Sequence, residues 1–574
     1  MSVSLLSMLI LPLAAALMLL VMRRGLGQHT ARQFALIASL ATLVASLLLA
    51  YQFVQLPANS ASRTSPVEPR FSIPYQWFTY ADPSLDGEVA NQPLRIELLL
   101  GLDGISIALI VLTTILTVSC VLISWESIRE NAAGFYACLL LLEAGLLGVF
   151  SSFDLMMFYV FFEFTLVPLF FMIGIWGGPQ RRYAAVKFFL YTLVGSLVTL
   201  VGLVGLVMAA FSAGVASPTS IPELSRWLAA TPLSHEWQIA LFLAISIGFM
   251  VKVPVFPLHT WLPLAHVEAP TAGSVLLAGV LLKLGTFGFL RLCLPMFPYA
   301  CLKVGVPLMA ALAVAGIIYG SLCALAQRDI KKLVAYSSVA HLGFCVLGLF
   351  ALNSAGMSGG VLQMINHGLS TGALFLLVGM IYDRYHTRQL DDLGGLAARL
   401  PLIACTMVFV AMASIGLPGL NGFVGEVLAL AGMFRRDPIY AVLGASGVVL
   451  GAWYMLTMIQ TVFFGPLREP KQGHHHQHVI SDMNGREMFA IAPICVLCLL
   501  IGVMPQPLID TFQPDVDAVV ALYPDSVATE ENAANAGETV RSSVESYSGT
   551  HHAPSNNLAL STLAPGPQPP VPHE

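Results

Sequence analysis

Residues 239–258 read Ile239-Ala-Leu-Phe-Leu-Ala-Ile-Ser-Ile-Gly-Phe-Met-Val-Lys252-Val-Pro-Val-Phe-Pro257-Leu258. About twenty consecutive apolar residues are what a helix needs to cross the hydrocarbon core of a bilayer. This run has the length and the apolarity, yet it carries an ammonium group and two prolines near its end. Proline has no N–H to give and clashes with the preceding turn, so the helix must break just after Lys252. Broken backbone is tolerated at membrane depth only where it is buried in protein or lines a polar cavity. The stretch therefore predicts a discontinuous transmembrane helix with a basic side chain at its break.

The rest of the chain supports a lipid environment. Of 574 residues, 57% are hydrophobic and only 10% are charged, with a mean hydropathy of +0.78, whereas a soluble domain carries about 25% charged residues. The apolar runs lack strand-like alternation, which selects helices over a barrel. The hydropathy gives about fourteen spans, near 4–22, 34–56, 98–123, 134–151, 154–176, 185–212, 239–258, 271–293, 302–325, 332–352, 359–381, 401–434 (interrupted), 438–464 and 488–511. The charge-free run Met1–Met22 is followed by Arg23-Arg24 without a small-residue cleavage site, so it is expected to remain as the first helix. Most Lys and Arg residues, among them Arg181, Arg182, Arg328, Lys331, Lys332, Arg384 and Arg388, follow odd-numbered spans. The positive-inside rule puts those loops in the cytoplasm, and both termini and the loop 57–95 on the periplasmic side.

Two membrane-depth features recur at nearly the same offset: Glu163 and His341 are 178 positions apart, and Lys252 and Glu426 are 174 apart. Lys252 and Glu426 each lie in a span broken by proline, the second at Leu417-Pro418-Gly419. Spans 4–8 and 9–13 then form two five-helix repeats, and an odd number of passes inverts the second against the first. Inverted repeats with discontinuous helices are a transporter architecture with ion sites at the breaks. The fold class is all-α integral membrane, with helices 7 and 12 broken. The expected organisation is helices 1–3 with their loop (1–133), a first repeat (134–293), a second (302–464), a loop and final helix (465–512), and a disordered tail (513–574) too poor in large apolar groups to fold alone.

Ionisable side chains inside spans are costly and mark ion pathways. Glu163 sits in Phe-Tyr-Val-Phe-Phe-Glu-Phe-Thr with no polar relief, and Lys252 is its natural partner. The bland reading is a structural ion pair; the broken helix beside it favours a titrating site. Lys283, in Leu-Leu-Lys-Leu-Gly, lies too near midspan to snorkel to either interface. His341 and His367 could be hydrogen-bond glue between helices, but imidazole also gives and takes protons near neutrality. They fall between Lys283 and Glu426 in chain order. Glu143 has no evident partner. Arg182 reads as solvated, and Lys187 as a group that could tune Glu163. His474-His-His-Gln-His478 reads as a solvated loop rather than a metal site, and Cys495-Val-Leu-Cys498 as packing inside an apolar run. The sequence contains no nucleotide loop, haem motif or iron–sulfur spacing, so any redox chemistry belongs to a partner.

At these residues a resemblance becomes specific. Leu262-Pro-Leu-Ala-His-Val-Glu-Ala-Pro-Thr-Ala-Gly-Ser274, followed by Leu281-Leu-Lys283-Leu-Gly285, resembles the signature of the antiporter-like subunits of respiratory complex I. That family is shared with the large subunits of Mrp-type antiporters and with membrane-bound hydrogenases. Ala335-Tyr-Ser-Ser-Val-Ala-His341-Leu-Gly-Phe344 and Asn366-His367-Gly368 are further matches, and the likeness runs from roughly residue 95 to residue 465. Most of the family carries Lys on the second broken helix and one branch carries Glu. Pro418-Gly-Leu-Asn-Gly-Phe-Val-Gly-Glu426 carries Glu, and a final span without a long lateral helix agrees with that branch.

The resemblance implies a proton-pumping subunit of NADH:quinone oxidoreductase in a bacterial inner membrane. By motif, Glu163 and Lys252 would be its coupling pair, Lys283 its central site, His341 and His367 the relay, and Glu426 the exit. No cofactor is implied in this chain; NADH, FMN, iron–sulfur clusters and quinone would belong to partner subunits. The partners implied are the other complex I membrane subunits, including two related antiporter-like subunits, and the bilayer, with no nucleic acid. The extended tail and Glu143 depart from the family pattern. Rival readings are an Mrp-type antiporter or hydrogenase-linked pump, against which Glu426 argues, and a passive scaffold whose buried charges only hold helices together.

Overall fold

The structure is a computed structural model, and it describes residues 1–23, 25, 27–56, 65–80, 94–470 and 480–523. The His474–His478 cluster, parts of the loop 57–95 and the chain beyond Tyr523 lie outside the described residues.

Among the described residues, twelve stretches are helical, long and apolar enough to cross a membrane. They are α1 (Ser2–Met22), α2 (Gln28–Val54), α3 (Gly104–Ser127), α4 (Ala132–Ser151), the pair α5 (Leu155–Phe164) and α6 (Leu166–Trp176), α7 (Arg181–Ser212), then, past the short helix α8 (Ile221–Ala230), α11 (Thr271–Met296), α12 (Pro298–Leu325), α13 (Ile330–Leu349), α14 (Ser354–Tyr385), α17 (Pro438–Phe463) and α18 (Gly485–Val503). The two remaining expected passes are the broken ones, α9 (His235–Lys252) with α10 (Leu262–Glu268), and α15 (Pro401–Ile415) with α16 (Asn421–Arg436). Outer passes show lipid-type surfaces: Val201 on α7 is 71% exposed and Phe489 on α18 is 76% exposed. The chain is a multi-pass membrane protein of helical fold.

Side chains and turn geometry meet part of the backbone that each break frees. Where α9 stops, the Trp261 indole N–H donates to the Val251 carbonyl at 3.0 Å. Where α15 stops, Gly416 takes the left-handed conformation (φ +81°) that ends a helix without Cβ strain. Asn366 on α14 then donates from Nδ2 to the Asn421 carbonyl at the start of α16 (2.6 Å), and Asn421 donates back to the Asn366 carbonyl at 3.2 Å.

Small residues bring the inner helices together. A Cβ at Gly368 on α14 would lie 2.7 Å from the Gly279 carbonyl oxygen on α11 and 2.6 Å from Leu112 on α3. Such backbone-to-backbone approach is how membrane helices pack when apolar burial gives no drive. Along α11 the helix widens for one turn over Leu277–Leu281, immediately before Lys283.

Two sequence expectations are corrected. The loop 57–95 and the start of the third span contain a two-stranded antiparallel ribbon, β1 (Phe71–Tyr80) paired with β2 (Leu94–Leu102). Hydropathy cannot separate a short apolar strand from the start of a helix. Here Asp103 decides, its carboxylate accepting from the Ser106 N–H at 2.8 Å and starting α3 one residue later. At the other end, the last span stops at Val503, and a further helix, α19 (Gln506–Val520), follows. The disordered tail expected from 513 therefore begins with ordered structure: Phe512, Val516, Val519 and Tyr523 are buried. Their i, i+4, i+7 spacing gives a helix one apolar face despite its polar composition.

Candidate functional site

Four of the six expected site residues form two hydrogen-bonded pairs in the interior. Lys283, fully buried on α11, donates from Nζ to the Ala278 carbonyl in the widened turn and to His367 Nδ1 on α14, the latter at 2.7 Å. His341 on α13 donates from Nδ1 to Glu426 Oε1 on α16 at 2.8 Å. This tautomer leaves Nε2 free to accept from the groups on the other side of the ring. His341 Nε2 then accepts from the Tyr454 hydroxyl of α17 at 3.2 Å and lies 3.5 Å from Ser414 Oγ. The two pairs meet at the imidazoles, whose ring centres are 5.9 Å apart. The row Lys283–His367–His341–Glu426 is thus continuous except for one step between rings.

The row ends at the second break. Glu426 Oε1 also accepts from Gln363 Nε2 at 2.9 Å, and its Oε2 faces Gly416, where a Cβ would stand 3.3 Å away. At the other end, Lys252 terminates α9 and is 1% exposed. Close approach of Gly285 and Gly288 on α11 to Phe249 and Val253 holds that end of α9 against the helix bearing Lys283.

Glu163 and Lys252 are not within ion-pair distance. The Lys252 ammonium lies over the Phe162 ring, 4.6 Å from its centre, and has no hydrogen-bond partner among the described residues. Glu163, half-buried at the end of α5, has the Ser196 and Tyr159 hydroxyls as its polar neighbours, with one carboxylate oxygen unpartnered. The pair expected from sequence is therefore an electrostatic neighbourhood without an ion-pair contact, in which the ammonium rests on an aromatic face in a cation–π arrangement.

Residues that the sequence reading did not single out complete the site: Gln363, Tyr454, Ser414, Phe162 and the Asn366–Asn421 clasp. Gln363 lies one helical turn before His367, so i, i+4 spacing could have found it; Tyr454 and Phe162 carry no such signal. Glu143 is wholly buried on α4 with the Thr117 hydroxyl of α3 as its polar neighbour, and among the described residues it is not joined to the row. Arg182 is exposed, and Cys495 and Cys498 are free thiols.

Two broken helices, each bearing a buried titratable side chain at its break, are the architecture of membrane transporters built on discontinuous helices. A family profile described as "NADH:quinone oxidoreductase/Mrp antiporter, TM" matches residues 152–451. The chain is 43% identical over 523 residues to NADH-quinone oxidoreductase subunit M of Rhodobacter capsulatus, covering 89% of this chain and 95% of that protein. It is 40% identical over 475 residues to NADH-ubiquinone oxidoreductase chain 4 of Chondrus crispus, covering 83% and 89% respectively. Its fold is similar to a chain of respiratory complex I from Thermus thermophilus with bound NADH, with a TM-score of 0.74 and 30% identity, covering 90% of this chain and 99% of that one. The chain belongs to the NADH:quinone oxidoreductase/Mrp antiporter membrane family, in its subunit M (chain 4) branch.

Proposed function

We propose that Lys252, Lys283, His367, His341 and Glu426 carry protons through this membrane proton-translocating subunit of NADH:quinone oxidoreductase, with Glu163 setting the charge at the first break. The observation that carries the reading is the buried sequence of donors and acceptors from Lys283 to Glu426, 2.7 Å and 2.8 Å apart within its two pairs. Scaffolding charges gain nothing from being placed end to end with two imidazoles between them.

In this reading Lys283 passes a proton to His367 Nδ1, His367 passes one on to His341, and His341 delivers its Nδ1 proton to Glu426. Glu426 releases it beside the break at Gly416. The trigger is movement of the Lys252 ammonium between the Phe162 face and Glu163. At an effective dielectric near 20, two unit charges attract by about 4 kcal/mol at 4 Å and about 2 kcal/mol at twice that distance. The difference of about 2 kcal/mol is the order of one charge moved through 100 mV, about 2.3 kcal/mol. Opening and closing that pair can therefore bias one uphill transfer.

The driving event comes from partner subunits holding NADH, FMN, iron–sulfur clusters and quinone, relayed through the other membrane subunits, two of them related to this chain. The distribution of Lys and Arg supports a cytoplasmic side at the Arg328–Lys332 and Arg384–Arg388 loops, with both termini periplasmic. The test is NADH-driven proton uptake by inverted vesicles. Lys283→Met should assemble and stall uptake, whereas uptake at the wild-type rate contradicts the reading.

A further inference from the structure

The end of α11 far from the Arg328–Lys332 and Arg384–Arg388 loops carries a second buried cation. Arg291 lies in another widened turn of that helix, Phe289–Cys293, and is 4% exposed. It pairs with Asp103 at the start of α3 at 2.6 Å and donates to Ser106 Oγ at 2.9 Å. Its guanidinium lies over the Phe153 and Phe287 rings, 4.0 Å and 4.8 Å from their centres. Phe287 comes between Lys283 and Arg291 along the helix and meets Phe150 of α4 edge-on, 5.2 Å between centres. The order along α11 is therefore Lys283, an aromatic block, then Arg291.

A further helix covers this end. Asp515 on α19 accepts from the Gly104 N–H of α3 at 2.6 Å, and Gln513 accepts from the Ser358 hydroxyl of α14 at 2.8 Å. Just past α19, the Tyr523 hydroxyl donates to the Leu294 carbonyl of α11. The helix is thus fastened to α3, α11 and α14, two of which bear Lys283 and His367. Against it, Glu68, Asp103, Phe287, Arg291 and Asp515 line a cavity of about 20 Å³, room for about one water.

Stability alone does not account for the ion pair, since replacing a buried pair by well-packed apolar side chains is often neutral or stabilising. A guanidinium does not release its proton in a protein, so Arg291 cannot pass one on. What it can do is repel one, as a fixed arginine does where it keeps protons out of a narrow pore. We propose that Arg291, backed by Phe150 and Phe287 and capped by α19, is a barrier that stops Lys283 from exchanging protons with this face of the membrane. A proton on Lys283 then leaves through His367, and the gradient does not discharge back through the same lysine. The barrier rests on Lys283 titrating, as in the proposed function.

The experiment reconstitutes the whole complex into liposomes with a trapped pH dye and imposes a potassium diffusion potential without NADH. Passive proton flux is read first, then NADH oxidation with and without an uncoupler. The variants are Arg291→Gln, and Arg291→Gln with Asp103→Asn, which keeps both volumes while removing both charges; each is made with and without Lys283→Met. Arg291→Gln should oxidise NADH and raise the passive flux about tenfold. That is the effect of removing one unit charge about 12 Å from Lys283, eight residues away, at an effective dielectric near 20. The neutral pair should leak several-fold, and in both variants the uncoupler should no longer speed NADH oxidation. Adding Lys283→Met should return the flux to the wild-type value. Wild-type flux in either assembled variant overturns the barrier, as does a leak that Lys283→Met leaves unchanged. Failure of both variants to assemble also overturns it, because the pair is then a structural tie. Wild-type NADH-driven uptake in Lys283→Met alone overturns the proposed function instead, whatever Arg291 does.

Discussion

Glu426 is the site residue whose replacement has the most calculable consequence. Its Oε1 accepts two buried hydrogen bonds, from His341 at 2.8 Å and Gln363 at 2.9 Å. Glu426→Ala strands both donors, each at about 1–3 kcal/mol, so the site loses roughly 2–6 kcal/mol unless it rearranges. It also leaves the His341 proton without an acceptor, which stops the last transfer outright. Glu426→Gln keeps the volume and an accepting oxygen, so local stability should be largely retained while transfer fails, since an amide does not titrate. Glu426→Asp pulls the carboxylate back by one methylene, about 1.5 Å, and should keep a good part of the activity through small shifts of Gln363 and His341. Glu426→Lys sets an ammonium against two donors and should be impaired. The assay is NADH-driven proton uptake in inverted vesicles, normalised to assembled complex. Full uptake in Glu426→Ala, or in Glu426→Gln, refutes the assignment of Glu426 as the terminal acceptor.

Glu163→Gln should leave assembly intact and abolish quinone-linked pumping, because the amide cannot draw the Lys252 ammonium off the Phe162 ring; normal pumping in vesicles sinks the trigger, and loss of the assembled complex assigns Glu163 to structure. Gly368→Ala places a Cβ 2.7 Å from the Gly279 carbonyl oxygen, forcing α11 and α14 apart. That movement stretches the Lys283–His367 bond, so uptake should fall several-fold even though neither titrating residue has changed. Wild-type uptake with a stable complex would show that this bond need not be kept short.

Much of the fold was legible because lipid leaves few choices. Twenty-residue apolar runs can only be helices, and Pro254, Pro257 and Pro418 mark both breaks within otherwise apolar runs. The ribbon Phe71–Leu102 and the helix Gln506–Val520 were not legible in the same way. They straddle the ends of the expected spans 98–123 and 488–511, where hydropathy cannot tell a short apolar strand or a separate helix from the end of a span, and pairing partners or a single apolar face decide the outcome. The site divides along a similar line. Glu163, Lys252, Lys283, His341, His367 and Glu426 stand out since each is a costly group in an apolar run. Gln363, Tyr454 and Phe162 do not, because a neutral amide, phenol or phenyl ring in a span is cheap and common. The contact expected between Glu163 and Lys252 failed for a related reason: sequence shows that a buried ammonium needs compensation, but not that an adjacent aromatic face provides part of it.

The central claim is that the buried row moves protons by titrating, and Lys283→Arg tests it most directly. Arginine keeps the positive charge and the capacity to donate to Ala278 and His367, but a guanidinium does not release its proton in a protein. Measured as protons taken up per NADH oxidised by assembled complex in inverted vesicles, the account predicts a clear loss of uptake in Lys283→Arg. Wild-type uptake in that variant would mean that Lys283 serves as a fixed charge, and would contradict the account.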